Sequence, residues 1–310
     1  MKVPVGYFFN NDICGELQKQ LVLSIVCSLY EIHVNVVALV MDGHTTNQKM
    51  VSLLGCSLEP EEIECTFSHP SDSSRKIYVL FDACHLLKNL RGAVHALQEI
   101  NTSVGVVRWN DVVRLQQLQE PEGLYAENKL SARHINFQNQ KINVRLAAQT
   151  LSASVANALR YAAEIGCDGL DDCEGTASFL CVADHLFDIF NSRSPVVKGL
   201  KGPLRPENLD YTEKFLMNAK SVLLSMTDMT GTKVCYGKRK IGVIGFLLNI
   251  ESALGLAKEL LLGHTPAQKY LLTYKLSQDH LELFFSAIRQ RGGWNNNPSA
   301  MHLASVYRAC

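Results

Sequence analysis

Two stretches, "VNVVALVMD" (34–42) and "KIYVLFD" (76–82), are nearly continuous apolar runs rich in β-formers, and each ends on an aspartate. A run of that kind suits a strand buried on both faces, and such strands belong to parallel sheets covered by helices. Between them, "QKMVSLL" carries helical spacing and stops at Gly55, as glycine past a last helical turn should make it do. The order strand–helix–strand predicts a βαβ unit over 34–81 with a right-handed parallel crossover. Ligands of open α/β sheets gather beyond the carboxyl ends of the strands, so Asp42 and Asp82 are candidate site residues. The competing reading is that each aspartate caps the helix that follows it, a role Asp fills well.

The rest of the chain divides around this unit. "VPVGYFF" (3–9) is β-branched and aromatic and predicts a short strand. Leu17, Leu21, Val22, Ile25, Val26 and Leu29 recur at helical spacing, so 15–32 is expected to be an amphipathic helix. Residues 57–75 are polar, with prolines and serines, and predict a loop. From 86 to 270 the strand signal fades and helical patterns dominate, among them "NVRLAAQTLSASVANALRYAAEI" and "IGVIGFLLNIESALGLAKELLL". The stretch 278–291 predicts a last helix with Leu281, Phe284, Phe285 and Ile288 on one apolar face, closed by Gly292-Gly293. Glu282 borders that face, and Asp279 lies one turn back on its own side. No repeat or low-complexity tract is visible.

Composition excludes little but weighs on partners. Lys+Arg and Asp+Glu both number 30, so no net-charge field argues for nucleic acid or membrane. Local positives are Lys88/Arg91, Lys198/Lys201/Arg205, Lys238/Arg239/Lys240 and Arg289/Arg291, read either as solvated faces or as DNA contacts. The ten cysteines form no CxxC and no zinc-finger spacing, which predicts buried reduced thiols and hence the cell interior. The start has no signal-peptide pattern. No window reads as the roughly 18 apolar residues of a membrane span, so the expectation is a soluble protein with no membrane partner.

Two strands ending in Asp, a long helical segment and a late helix carrying an acid resemble a ribonuclease-H-like nuclease core with an insertion before its last catalytic helix. The residues carry the resemblance further. "VGYFF", "MDGHTTNQKM", "FDACHLLKNLR", "FDIFNSR", "RKIGVIGFLLNI" and "LTYKLSQDHLELFFSAIRQRGG" followed by "NNNP" resemble P-element transposases and the THAP-domain proteins derived from them, in order over nearly the whole chain. The fold this implies is α/β: a partial RNase H-like core, made of the βαβ unit plus a C-terminal catalytic helix, interrupted by a mostly α-helical insertion. The implied domains are 1–85 (core, N-terminal part), 86–269 (insertion of the GTP-binding type) and 270–310 (core, C-terminal part).

The resemblance implies DNA cleavage and strand transfer by a D-D-E carboxylate triad holding Mg²⁺, since hard divalent cations want oxygen ligands that grip attacking and leaving oxygens. By motif, Asp42 matches the second catalytic Asp and Glu282 the catalytic Glu, both metal ligands. Asp82 with His85 matches a supporting "D.CH" element. No GxxxxGK[ST] loop is present, so a GTP site is implied by resemblance alone, at Phe187, Asp188, Asn191, Asp279 and Val144. Asn143 stands where the family has a lysine before that valine, with Lys129 and Lys141 as substitutes for the phosphate contact. DNA, a guanine nucleotide and a homo-oligomer are the implied partners, and the nucleus the implied location.

The family's first catalytic Asp lies on a strand upstream of the segment matching "VPVGYFF", as does its zinc finger, and here that segment begins at residue 3. The expectation is a truncated chain that does not cut DNA alone. A decayed transposon copy, a domesticated non-catalytic module binding guanine nucleotide or protein, and an enzyme split by gene prediction all remain open at this point.

Overall fold

The computed structural model describes residues 3, 5, 6, 8, 13–122, 128–262, 266–291, 299, 301 and 305. In chain order the elements are α1 (Gly15–Glu31), β1 (Ala38–Met41), α2 (Thr45–Leu53), β2 (Thr66–His69), β3 (Asp72–Phe81), α3 (Ala83–Leu97), β4 (Glu99–Thr102), β5 (Gly105–Arg108) and α4 (Trp109–Glu122). They continue with α5 (Ala132–Ile135), α6 (Val144–Thr150), α7 (Ala153–Glu164), α8 (Glu174–Phe190), α9 (Pro206–Ser225), α10 (Ile241–Leu261) and α11 (Asp279–Arg291).

The two apolar runs lie side by side as expected. β1 and β3 pair in parallel, from Ala38 opposite Tyr78 to Met41 opposite Phe81. β1 is shorter than the run that predicts it, because Val34 donates its N–H to Leu29 and His33 turns the chain at φ 61°, closing α1. The expected loop over 57–75 contains structure: β2 pairs antiparallel with β3, giving the sheet order β1-β3-β2. An edge strand pairs through its backbone, and residues 73–76 are exposed and polar, so no apolar pattern announces it. Of the strand expected over 3–9, the described residues Val3, Val5, Gly6 and Phe8 are exposed and outside any strand. Gly292-Gly293 lie outside the described residues.

The region expected to be helical throughout holds a hairpin. α3 stops at Gln98, at φ 64°, and β4 and β5 follow as an antiparallel pair turning at Gly105, φ 119°. Each strand has four residues, too few to show a period, yet Ile100 and Val107 are fully buried. The long pattern over 143–165 is two helices: Ser152 breaks it and caps α7 by accepting from the Val155 N–H at 3.3 Å.

α10 joins the helical region to the sheet. Gly242 lies against the Leu90 backbone and Gly245 against the Leu86 side chain, so α10 approaches α3 more closely than a Cβ would allow. β2 gives out beside Val79, where the Val79 N–H donates to the Cys65 carbonyl. Beyond it the exposed edge of β3 is covered by α10. The buried Asn249 amide accepts from the Phe81 N–H at 2.8 Å and donates to the Phe81 carbonyl at 2.7 Å, and the Ser252 hydroxyl donates to the Val79 carbonyl. One apolar cluster consequently runs from Phe67, Val79 and Phe81 through α3 and α10 to Phe179 and Phe190. By length and hydropathy α10 could cross a membrane, contrary to the sequence reading; 78% of its most apolar window is buried inside the fold, and that burial accounts for its apolarity.

The nine described cysteines are free thiols: Cys56, Cys173 and Cys235 are buried, Cys14 is exposed and the others are half-buried.

Candidate functional site

At the carboxyl end of the sheet the two aspartates differ. Asp42 leaves β1 two residues before the α2 cap, which is His44. One oxygen, Oδ1, accepts from the His44 N–H at 2.9 Å and from the Asn47 amide at 2.7 Å. The side chain is half-buried, and these two donors fix its rotamer while Oδ2 accepts nothing among the described residues. Asp82 is 1% exposed. Its Oδ1 caps α3 by accepting from the His85 N–H at 3.0 Å, and its Oδ2 accepts from the Gln278 N–H at 2.7 Å.

That second bond brings the distant end of the chain to the sheet. Gln278 immediately precedes α11, and its carbonyl accepts from the Glu282 N–H at 2.9 Å. Glu282 then meets α3: its Oε1 lies 3.5 Å from His85 Nε2, with the carboxylate side chain 66% exposed. Asp42, Asp82, His85 and Glu282 are therefore gathered at one end of the sheet. α11 itself is barer than its pattern predicts. Only Ile288 is buried, with Phe284 packed on it, while Leu281 and Phe285 are exposed. Glu282 stands on an open helix, not at the border of a buried stripe.

Among the described residues no three His, Cys, Asp or Glu side chains are grouped closely enough to hold a metal by themselves. The open oxygens of Asp42 and Glu282 nevertheless suit Mg²⁺, which takes one or two carboxylates and completes its shell with water and substrate phosphate.

A second polar cluster lies where α8 ends against the start of α11. The Ser192 N–H donates to Thr273 Oγ1, whose hydroxyl donates to the Ile189 carbonyl, and the Tyr274 N–H donates to the Ser192 carbonyl at 3.2 Å. Arg193 bridges two of the expected nucleotide residues, donating to Asn191 Oδ1 at 2.9 Å and to Asp279 Oδ2 at 2.8 Å. Asp188 pairs with Lys201 at 3.1 Å. Next to it, burial pushes the Asp184 carboxyl up, with the Asp188 charge adding to the shift. Cys84 on α3 is pushed up to about 12 by burial and then by the Asp82 and Asp279 carboxylates, so the two clusters share one electrostatic neighbourhood.

Three expected nucleotide residues stand apart from that core. Phe187 is 8% exposed and belongs to the apolar cluster. Val144 opens α6 half-buried and Lys129 is exposed; among the described residues no hydrogen bond or ion pair joins either to Asp188, Asn191 or Asp279. Asn143 caps α6 by accepting from the Leu146 N–H at 3.3 Å. Sequence reasoning missed Arg193, Asn47 and Gln278, and placed Lys201 only in a basic cluster without linking it to Asp188. Arg193 and Asn47 sit inside the quoted motifs "FDIFNSR" and "MDGHTTNQKM", where an offset of five residues from an acid is the available signal.

Comparison with known proteins speaks to the family and the fold. Three family models match: "TNP-like, RNase H N-terminal domain" over 1–55, "TNP-like, GTP-binding insertion domain" over 84–203 and "TNP-like, RNase H C-terminal domain" over 274–308. Among curated proteins the chain is similar to human "DNA transposase THAP9", 37% identical over 99% of this chain and 34% of that protein. It is also similar to the Drosophila melanogaster "Transposable element P transposase", 29% identical over 97% of this chain and 38% of that protein. The chain thus spans little more than a third of the curated relatives' length. Among solved structures it matches the "Drosophila P element transposase strand transfer complex" with a TM-score of 0.81 and 28% identity, over 93% of this chain and 63% of the other.

Proposed function

Because the chain belongs to the TNP-like family of P-element-type transposases, with an RNase H-like core interrupted by an insertion domain, we propose that it serves phosphodiester chemistry on DNA. Asp42 and Glu282 are the metal-binding acids of this reading. The observation that carries it is the return of α11 to the sheet, which brings Glu282 to His85 and, through Asp82 and Gln278, to the end of the strand beside Asp42.

Each residue has a role that follows from its bonds. Asn47 and the His44 N–H hold one Asp42 oxygen and orient the other outward. Asp82, 1% exposed and with a backbone N–H on each oxygen, positions the start of α11 and serves as a supporting residue. His85 orients the Glu282 carboxylate, as partners behind a metal ligand do. Bound Mg²⁺ would supply Lewis-acid stabilisation of the charge on a reacting phosphate.

For the insertion we propose a guanine-nucleotide site at Asp188 and Asn191. Asp188 would accept from the guanine N1–H and N2–H₂ donors, exchanging an exposed lysine for a ligand, and Asn191 would meet the O6/N7 edge. Asp279 closes this site through Arg193. Nuclear location and self-association are proposed with the family reading.

Manganese binding by the whole chain, followed by electron paramagnetic resonance, tests the acids: Asp42→Asn and Glu282→Gln should each release the ion, and unchanged binding rejects the assignment. Calorimetry with GTP tests the second site, with heat expected for the wild type and none for Asp188→Ala. A chain that binds GTP but no manganese would favour the other reading, a non-catalytic nucleotide-binding module; the Arg193 bridge, made without Asp42 or Glu282, supports that reading. Plasmid nicking that Glu282→Gln abolishes would place Glu282 in the reaction, and nicking that survives the change would reject that role.

A further inference from the structure

Two of the four basic clusters in the sequence, Lys88/Arg91 and Lys238/Arg239, lie about 150 residues apart. The fold brings them into one concave cavity of about 560 Å³ between α3, the turn at 137–142 and the loop before α10. Lys88, Arg91, His95, Lys141, Lys238 and Arg239 line it, and among the described residues no Asp or Glu does. None of its lysines or arginines is ion-paired among the described residues.

Arg91 is the informative member. It is fully buried, and its guanidinium stacks 3.8 Å over the Phe137 ring. Nη2 donates to the Lys141 carbonyl at 3.1 Å, while Nε and Nη1 have no partner among the described residues. A buried charge without a counter-ion is costly to the fold. Burial holds the Arg91 guanidinium down to about 10, still charged at neutral pH. The same cavity holds His95 below its ordinary range, first by burial and then by the charges of Arg239, Arg91 and Lys141.

We propose that this cavity is a phosphate-binding site, with Lys88, Lys141, Lys238 and Arg239 as its cationic lining and the buried Arg91 charge behind them. His85 lines the cavity and also touches Glu282, so a phosphate held here lies beside the candidate acids. That position fits a backbone phosphate of a DNA strand leading into the acids; the phosphates of a nucleotide are the other source of the same chemistry. The DNA assignment rests on the functional reading above, whereas the phosphate site itself does not.

The test uses the whole chain, a short fluorescent single-stranded oligonucleotide, a fluorescent GTP analogue and pyrophosphate as competitor. Lys238→Ala/Arg239→Ala changes only exposed rim residues. It should weaken oligonucleotide binding roughly tenfold and make its salt dependence shallower by about 0.7 for each phosphate no longer neutralised. Arg91→Met should weaken binding while the melting temperature holds or rises, the opposite of what a purely structural arginine would give. Should that variant misfold, the rim variant carries the test alone. Weakened oligonucleotide binding with GTP binding intact supports the DNA strand. Weakened GTP binding with oligonucleotide binding intact supports the site with a nucleotide phosphate as its occupant. Both intact, or a wild-type chain that binds neither oligonucleotide nor pyrophosphate, overturns the proposal. The manganese measurement on Glu282→Gln reports on the acids independently of any of these outcomes.

Discussion

Helices α10 and α11 both arise from apolar stretches punctuated by polar residues, and the fold treats them in opposite ways. Most of α10 is buried, including the polar Asn249 and Ser252, whereas of α11 only Ile288 is. α10 is fixed by apolar packing and by side-chain bonds to β3. α11 is anchored at its start by polar ties: Asp82 to the Gln278 N–H, His85 to Glu282 and Arg193 to Asp279. The element most responsible for stability therefore carries none of the proposed chemistry. The element that carries Glu282 is placed by a handful of polar contacts, so stability and site geometry should respond to different substitutions.

Unfolding in urea puts this division of labour at risk, beginning with the substitution that should hurt most. Asn249→Leu leaves the Phe81 N–H and carbonyl unpaired in the core and should cost about 2–4 kcal/mol. A loss under about 1 kcal/mol would mean that α10 does not close the sheet edge. Gly245→Ala drives a methyl into the Leu86 side chain and should cost about 1–3 kcal/mol. Asp82→Ala removes a helix cap worth about 1 kcal/mol, yet should lower manganese affinity by more than that loss alone implies, because α11 loses its anchor.

A surface pair marks the lower end of the scale. Arg160 clamps Glu174 at 2.7 and 2.9 Å, and this hydrogen bonding holds the Glu174 carboxyl down to about 2, against an ordinary 4.5. A depressed carboxyl contributes stability that is present above its unfolded value and lost as the pH falls through its folded one. The stability difference between wild type and Arg160→Met should therefore be at most about 1 kcal/mol at pH 7, as for exposed pairs, and vanish near pH 2. A difference that grows on acidification would reverse that assignment. Last, Glu282→Gln should leave stability within about 0.5 kcal/mol, being an exposed change, while manganese binding is lost. Unfolding by this variant would end the separation between the two helices.

How far the sequence announces each element follows from the physics of that element. β1, α2 and β3 are legible because the runs ending at Met41 and Phe81 are continuously apolar, although of β1 only Met41 is buried, and their terminal acids mark the site end of the sheet. β2 is hidden because "TFSH" pairs at an edge, where the backbone does the pairing and side chains are free to be polar. The β4–β5 hairpin is hidden by strands of four residues. The apolar spacing of α11 predicts a buried stripe, but spacing cannot say whether a neighbour exists to bury it. The functional meaning of Arg91 is illegible in principle: an arginine in "KNLRGAV" looks like the polar face of a helix, and only the fold turns it inward and sets Lys238 and Arg239 across from it.

The Asn249 amide has one more consequence. The outer side of β3 beyond β2 is an unpaired strand edge, the kind of template on which a strand from another molecule can add. With the amide satisfying both backbone groups of Phe81 and Ser252 taking the Val79 carbonyl, that edge offers an incoming strand nothing to bond to. Asn249 and Ser252 thus guard this stretch of the β3 edge against an added strand, and replacing Asn249 should be felt in the solubility of the chain as well as in its melting point.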